Sequence, residues 1–218
     1  SGLGARANGH STLDLLDGVP LRELTRPSSV ANLDLVAAKQ DLAAATVHLS
    51  ALEGGERYLA DALSGQATDG YGFVFLDCPP AFGPLTVNAL AAAGSVIVPV
   101  QAEYYALEGL SALVGTIGQI RDSVNPPLEI EGILRTMFDP RNNLSNEVSA
   151  QLIEHFGDKV FRTVVPRNVR LAEAPSFGRP AMFHDRESRG ALAYLALAGE
   201  MLRREDGLRA PEQLSSAS

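Results

Sequence analysis

The residues best suited to chemistry lie in segment 73–83, FVFLDCPPAFG, where a hydrophobic strand pattern ends at Asp77. A carboxylate at the carboxyl end of such a strand can hold a Mg²⁺-bound water beside a nucleoside triphosphate. The loop that follows contains Pro79, Pro80 and Gly83, which could shape a switch that senses the terminal phosphate. A strand-end aspartate can equally cap the next turn, so this segment alone leaves both interpretations open.

The surrounding pattern predicts alternating strands and helices. Mostly continuous apolar runs, typical of strands covered on both faces of a sheet, occur at 71–76, 95–100, 131–138 and 160–165, with an alternating run at 32–37. Helical spacing predicts helices from near Asp41 and at 53–63, 85–93, 107–124, 143–156 and 188–204. This order indicates an α/β fold with a doubly wound, mostly parallel sheet and helices on both faces. Ligands in such sheets bind beyond the carboxyl ends of the strands, here at Asp77, Gln101, Phe138 and Pro166.

Composition limits the classes of protein that fit. The 218 residues are 45% hydrophobic and 20% charged, which is ordinary for a globular domain. Without a run of about 18 apolar residues or a secretory signal pattern, we expect a cytoplasmic protein with no transmembrane helix. The single cysteine, Cys78, excludes an intramolecular disulfide. The net charge is −8, but residues 135–204 hold 11 basic and 8 acidic side chains, which is compatible with a local basic face.

Four long segments, taken in order, carry a resemblance to a known family. They are LDCPPAFGPLTVNAL, VIVPVQAEYYALEGLSAL, IEGILRTMFDPRNNLS and VVPRNVRLAEAPSFGRPAMFHDRESRGALAYLALA. Through them the chain resembles the ParA and Soj partitioning ATPases of bacteria, from Ser1 to about Arg204. The resemblance implies a deviant Walker P-loop ATPase that binds ATP and Mg²⁺ and dimerises around two nucleotides. It also implies nonspecific DNA binding and stimulation by a ParB-type centromere-binding partner.

The resemblance assigns roles around the nucleotide. Asp77 looks like the catalytic Walker B aspartate, which positions Mg²⁺ through water. The switch after it would comprise Cys78, Pro79, Pro80 and Gly83. The nucleotide and dimer side of the sheet would carry Gln101, Glu103, Tyr104, Tyr105 and Glu108, and the adenine pocket would form around Met137, Pro166 and Asn168. The two tyrosines could instead pack with their hydroxyls at the surface, and Met137 could fill the core.

The resemblance also assigns a DNA-binding surface. Arg141 and Arg170 correspond to arginines on that surface of the family. A guanidinium suits the role because it can donate two hydrogen bonds to phosphate oxygens, and phosphate contacts do not depend on the base sequence. The patch would extend through Arg167 and Arg189, with Lys159, Arg162 and Arg186 nearby in sequence. For any one of these side chains, a solvated surface charge is an equally good interpretation.

The family's phosphate-binding loop has no counterpart in the 218 residues. No match to G-x-x-x-x-G-K-[ST] is present, and no lysine precedes Lys39. Relative to the family, the chain lacks the first strand, the P-loop, the first helix and the second strand. Because backbone amides and a lysine of that loop hold the phosphates, this chain by itself is predicted to be inactive. Neighbouring strands such as 71–76 are predicted to lose pairing partners.

Two alternatives to a partitioning ATPase stay open at this stage. The chain could be a non-catalytic ParA remnant that binds DNA or a paralogue, or a MinD-like ATPase that works at membranes. The second fits less well because the segment 198–218 lacks a basic amphipathic helix. We expect one ATPase domain over residues 1–204, a disordered polar tail over 205–218, and a cytoplasmic protein associated with the nucleoid.

Overall fold

The computed structural model gives the arrangement of most of the chain. It describes residues 11–39, 42, 46, 49, 52–65, 67–80, 82–103 and 106–215, without the side chains of 207–215. The chain divides into two units, residues 3–96 with 112–129 and residues 97–111 with 130–218. The prediction of a single ATPase domain stays a prediction.

Short helices and a two-stranded ribbon make up most of the first unit. Its elements are α1 (Thr12–Leu16), α2 (Leu21–Leu24), β1 (Arg26–Pro27), β2 (Asp34–Leu35), α3 (Tyr58–Ala62) and α4 (Pro84–Ala92). Helix α1 begins at a capping box, in which Ser11 Oγ accepts from Leu13 N and the Asp14 carboxylate accepts from Ser11 N. Strands β1 and β2 pair antiparallel, so the predicted strand at 32–37 exists but only its middle two residues pair.

The core of the first unit is aliphatic. Leu15 and Leu16 of α1 are buried together with a set of side chains from the following elements, namely Leu24, Leu49, Leu59 and Ala89. Helices predicted from sequence at 53–63 and 85–93 therefore contribute to one cluster, as α3 and α4. The predicted helix starting near Asp41 lies largely outside the described residues, although Leu42, Thr46 and Leu49 are helical.

The prediction of a strand at 71–76 is wrong. The segment has no regular secondary structure, and Phe75 exposes 70% of its surface. Phe73 stacks on Phe75 with ring centroids 6.1 Å apart, while the Tyr71 hydroxyl donates to the Asp34 carboxylate at 2.8 Å. An apolar segment becomes a strand only when a neighbouring strand takes up its backbone hydrogen bonds, and no strand among the described residues pairs with this one.

A three-stranded sheet with flanking helices forms the second unit. Its elements are β3 (Ser95–Gln101), α5 (Ala106–Ser123), β4 (Glu129–Phe138), α6 (Asn143–Phe156), β5 (Val160–Pro166), α7 (Val169–Glu173), α8 (Ala181–His184) and α9 (Arg189–Ser215). Residues 95–96 of β3, 112–123 of α5 and 129 of β4 belong to the first unit. The strand order is β3-β4-β5. Strands β4 and β5 are parallel, with Ile133 opposite Val160. The predicted α/β class is confirmed.

A buried polar network fixes α9 to the sheet. Glu200 accepts hydrogen bonds from Arg162 N at 2.8 Å, from Thr163 N at 2.9 Å and from Thr163 Oγ1 at 2.7 Å. Arg204 contacts Glu200 at 3.2 Å and lies 4.2 Å from the Phe161 ring centroid. Burial alone would raise the pKa of the Glu200 carboxyl, but these hydrogen bonds and the charge of Arg204 lower it. The glutamate therefore stays ionised inside the structure.

Helix α9 is longer than the sequence predicts. It continues past Arg204 to Ser215, whereas the pattern predicts its end at Arg204. Disorder over residues 205–218, which was predicted from their polar composition, stays a prediction. In the part of the chain that the structure describes, no helix is long and apolar enough to cross a membrane.

Gly132 offers a direct test of packing in the sheet. A Cβ added there would lie 2.4 Å from Cε2 of Phe161, whose side chain is fully buried. Gly132→Ala should therefore lower the free energy of unfolding by about 1–3 kcal/mol through overpacking. Gly118→Ala is the matched control because, apart from the adjoining backbone of its own helix, nothing lies within 4 Å of its added Cβ, and the substitution should be neutral or stabilising. Equal denaturation midpoints for both variants would contradict the packing.

Candidate nucleotide site and basic surface

Asp77 lies at the surface directly after segment 71–76. Its carboxylate accepts no hydrogen bond and forms no ion pair among the described residues. Carboxylate oxygen is the donor that Mg²⁺ prefers, and Mg²⁺ commonly keeps its waters and takes only one or two protein carboxylates. An unpaired, exposed aspartate therefore fits the water-mediated contact expected of it. Within the described part of the chain, no group of three or more His, Cys, Asp or Glu side chains could hold a metal by itself.

The predicted switch leads from Asp77 into helix α4. Cys78, Pro79 and Pro80 are exposed, and partial desolvation of the thiol, followed by the charge of Asp77, raises the pKa of Cys78. Gly83 is the N-cap of α4 and has an extended backbone, with Pro84 in the first turn. Proline there is preorganised for a helix start. The described residues of the predicted switch therefore lead from the exposed stretch 78–80 to the N-terminus of α4.

An asparagine that sequence reasoning missed anchors that helix. Asn88 is only 2% exposed. Its Nδ2 donates to Gly55 O at 2.7 Å and to Pro84 O at 3.1 Å, and its Oδ1 accepts from Leu59 N at 3.1 Å. A polar residue amid the apolar run PLTVNALAA is the signal that could have identified it. Asn88 ties the helix after the switch to the loop before α3.

The other end of α4 is held in a similar way. Asn125 Nδ2 donates to Leu90 O at 2.8 Å and to Ala93 O at 2.7 Å. These carbonyls are the ones that a helix terminus leaves without intrahelical partners. Both ends of the helix that follows the switch are therefore fixed by buried or partly buried amides.

Polar side chains follow β3, as the sequence predicts. Gln101, Glu103 and Glu108 are exposed. Between them, Ala102 is buried and its carbonyl accepts from Ser145 Oγ at 3.3 Å. Buried and exposed residues thus alternate here, which leaves the three polar side chains accessible from solvent. The predicted contributions of Tyr104 and Tyr105 lie outside the described residues.

The ends of β4 and β5 bring the predicted base-pocket residues into one region. Phe138 stands opposite Pro166, and its carbonyl accepts from Arg167 N at 3.1 Å. Just before it, Met137 has a φ of 52° and is 42% exposed, where the register with β5 shifts. A non-glycine residue at positive φ is uncommon, and such strain clusters at functional sites. Met137 therefore lies at the surface of the strand end, rather than filling the core.

Asn168 is already engaged by the backbone. It is the N-cap of α7, and its Oδ1 accepts from Arg170 N at 2.9 Å. N-capping satisfies an amide that the helix cannot. Asn168 thus contributes to the strand-end region by fixing where α7 begins.

Arg141 forms a two-pronged ion pair beside this region. Its Nε donates to Asp139 Oδ1 at 3.0 Å and its Nη2 to Asp139 Oδ2 at 2.9 Å. Hydrogen bonds from the side chain and backbone of Arg141 lower the pKa of Asp139 to about 2, and the charges of Arg141 and Arg167 act in the same direction. Arg141 and Arg167 therefore flank one carboxylate.

The pKa of Asp139 can be measured by a carboxyl-carbon NMR titration. We expect about 2 for the wild type, so the carboxyl is half protonated at that pH and almost fully ionised from about two pH units higher. Arg141→Gln should raise the pKa part of the way toward the ordinary range, because it removes the side-chain hydrogen bonds and the positive charge that favour the ionised form, while the backbone N–H of residue 141 can still donate to Asp139 Oδ1. An unchanged Asp139 titration in the variant would contradict the ion pair.

Arg170 is held in a separate cluster of charges. Its Nη1 donates to Glu173 at 2.9 Å and its Nε lies 3.2 Å from Asp185. His184 Nε2 lies 3.7 Å from the same Glu173 carboxylate. The hydrogen bond and the charges raise the pKa of Arg170, which keeps it cationic. The other predicted basic residues are exposed, namely Lys159, Arg162, Arg167, Arg186 and Arg189.

Comparison with known sequences identifies close relatives. An AAA domain family model matches residues 5–130. An uncharacterized protein of Pseudomonas putida is 53% identical over 197 residues, covering 90% of this chain and 74% of its own. The chromosome-partitioning ATPase Soj of Thermus thermophilus is 51% identical over 204 residues, with 94% and 78% covered. The chromosome partitioning protein ParA of Myxococcus xanthus is 47% identical over 191 residues, with 88% and 67% covered.

Solved structures agree with the fold. Cobyrinic acid a,c-diamide synthase of Mycobacterium smegmatis, with bound ADP and magnesium, superposes with a TM-score of 0.77 at 30% identity, covering 94% of this chain and 76% of that one. The cell division ATPase MinD of Pyrococcus furiosus gives 0.71 at 18% identity, covering 93% and 79%, which shows the fold alone. The fold is that of the ParA- and MinD-like P-loop ATPases. Within that class, the chain belongs to the ParA/Soj family of chromosome-partitioning ATPases.

Proposed function

We propose that the full-length gene product is a ParA-type ATPase of DNA segregation. It forms an ATP-dependent dimer on nonspecific DNA and is stimulated by a ParB-type centromere-binding protein. The observation that carries this proposal is the 51% identity to Soj of Thermus thermophilus over 94% of the chain. The protein then acts in the cytoplasm, on the nucleoid.

Asp77 supplies the Mg²⁺-positioning carboxylate in this proposal, acting through a water molecule. When bound, ATP and Mg²⁺ supply the phosphoryl group and the charge that neutralises it during transfer. The exposed carboxylate, which has no partner among the described residues, supports this role. Cys78, Pro79, Pro80 and Gly83 form the switch that senses the terminal phosphate. The 218 residues contain no phosphate-loop sequence, so hydrolysis is proposed for the full-length product and not for this stretch by itself.

The base of the nucleotide contacts the ends of β4 and β5 in this proposal. Met137 offers an exposed thioether at a strained backbone position, and Pro166 with Asn168 shapes the neighbouring turn. Supporting this, Phe138 O and Arg167 N join the two strand ends at 3.1 Å. Gln101, Glu103 and Glu108, with Tyr104 and Tyr105, serve the nucleotide and dimer side.

DNA binding uses the arginines that follow the same strands. Arg141, Arg167 and Arg170 come after β4 and β5, and Arg189 begins α9. The exposure of these side chains supports contact with phosphates, which gives affinity without sequence choice. Because the molecule carries a net charge of −8, binding depends on this local set of cations.

Nucleotide-dependent DNA binding tests the proposal. In the presence of Mg²⁺ and ATP, the full-length product should bind a DNA duplex of arbitrary sequence, and in the presence of ADP it should release the duplex. Its affinity for DNA should fall steeply as the salt concentration rises. A non-catalytic remnant would bind the duplex equally with ATP, ADP or no nucleotide. That second outcome would reject the switch and favour the remnant.

A further inference from the structure

The ion pair of Arg141 with Asp139 uses only one edge of the guanidinium. Asp139 occupies Nε and one hydrogen of Nη2, while the Arg141 side chain remains 88% exposed. An arginine presents five N–H donors in a fixed fork. Both hydrogens of Nη1 and one of Nη2 therefore remain outside this pair, on the outer edge of the fork.

Asp139 is tied to Arg141 by the backbone as well. Its Oδ1 also accepts from Arg141 N at 3.0 Å, which is the local turn that aspartate commonly forms two residues ahead. The carboxylate therefore remains beside Arg141 wherever the guanidinium turns. The Asp139 side chain is 28% exposed, so its negative charge acts on groups at the surface.

Any phosphate that reaches the outer edge of Arg141 meets this negative charge. Two like charges about 6 Å apart in solvent repel by an amount that corresponds to about a threefold loss of affinity. Arg167 also acts on Asp139 electrostatically, so one carboxylate partly offsets two proposed DNA-binding cations.

We propose that Asp139 is a built-in acidic competitor that occupies one edge of the Arg141 guanidinium, repels phosphate from the outer edge, and keeps DNA binding weak and reversible. This inference rests on the proposed DNA-binding function of the basic surface. It assigns to Asp139 a role in setting affinity, which differs from contact with DNA.

The variant Asp139→Asn removes the negative charge but can keep the local turn. The amide oxygen can still accept from Arg141 N, but the NH₂ group cannot accept from the guanidinium, so the two-pronged pair is lost. Asp139→Ser is a second variant that keeps a turn-forming acceptor without charge. Asp122→Asn is the matched control, because it also removes one acid from an exposed ion pair, that with Arg121.

The measurement is fluorescence anisotropy of a duplex of arbitrary sequence, titrated with full-length protein, Mg²⁺ and ATP at several NaCl concentrations. Asp139→Asn should bind about threefold to tenfold more tightly than wild type. Its plot of log K against log salt should be steeper by about 0.9, the slope of one further phosphate contact. Adding Arg141→Gln to Asp139→Asn should remove the gain, and Asp122→Asn should match wild type.

The outcomes distinguish the inference from the function on which it rests. Wild-type affinity in both Asp139→Asn and Asp139→Ser, with unchanged thermal melting, would overturn the inference and leave DNA binding intact. Weaker binding by both folded variants would also overturn it, because the carboxylate would then orient the arginine instead. Absence of DNA binding in the wild type would overturn the proposed function and the inference together.

Discussion

Asp77→Ala in the full-length protein is expected to lower kcat for ATP hydrolysis at least about a hundredfold, with partial retention of nucleotide. The carboxylate that positions Mg²⁺ through water would be missing, so the metal would no longer neutralise charge accurately in the transition state. A loss of about 3 kcal/mol of transition-state stabilisation corresponds to roughly that factor. Nucleotide would stay partly bound because the remaining contacts to base and phosphates are unaffected.

Steady-state phosphate release and a fluorescent-nucleotide titration measure the two effects separately. Asp69→Ala is the matched control, because Asp69 is another exposed aspartate of the same unit with no proposed role. It should hydrolyse ATP like the wild type. Unchanged turnover in Asp77→Ala would refute the Walker B role of this residue.

Charge reversal at Arg141 together with Arg170 is expected to abolish nonspecific DNA binding while ATP binding persists. Each substitution exchanges a phosphate contact for a repulsion, and phosphate contacts carry nearly all of the affinity in sequence-independent binding. The reversal of Arg22 together with Arg121 changes the net charge equally at two exposed arginines outside the proposed surface. That control variant should bind DNA like the wild type.

The geometry of Arg170 requires a second variant. Arg170 holds Glu173 and Asp185, so a glutamate there would place three acids together and could loosen α7 and α8. Arg141→Gln with Arg170→Gln removes both cations without that repulsion and should still weaken DNA binding at least about tenfold. Wild-type affinity in a folded glutamine variant would show that DNA binds elsewhere.

The sheet of the second unit was largely predictable from sequence. Strands β3, β4 and β5 and helix α6 fall within two residues of the predicted bounds, because each is a local apolar pattern with clear ends. Segment 71–76 has an equally apolar pattern but forms no strand. Strand formation there depends on distant neighbours, and a local pattern does not report whether they are present.

The strand-end positions of some candidate site residues could be predicted from sequence, but their contacts could not. The positions of Met137 and Pro166 at strand ends follow from the pattern of strands, whereas Asp77 comes after a segment that forms no strand. The positive φ of Met137 and the buried hydrogen bonds of Asn88 depend on tertiary packing, which spacing does not encode. The pair of Asp139 and Arg141 was readable in principle, since aspartate two residues before arginine in a DPR turn places both charges together.

The most direct test of the account is ATP turnover by the full-length product with Mg²⁺, alone and with DNA plus its ParB-type partner. We expect slow hydrolysis alone and clear stimulation when both DNA and the partner are present, with no stimulation in Asp77→Ala. Turnover that responds to neither addition, in a protein that binds ATP, would contradict assignment of this chain to a DNA-segregation ATPase.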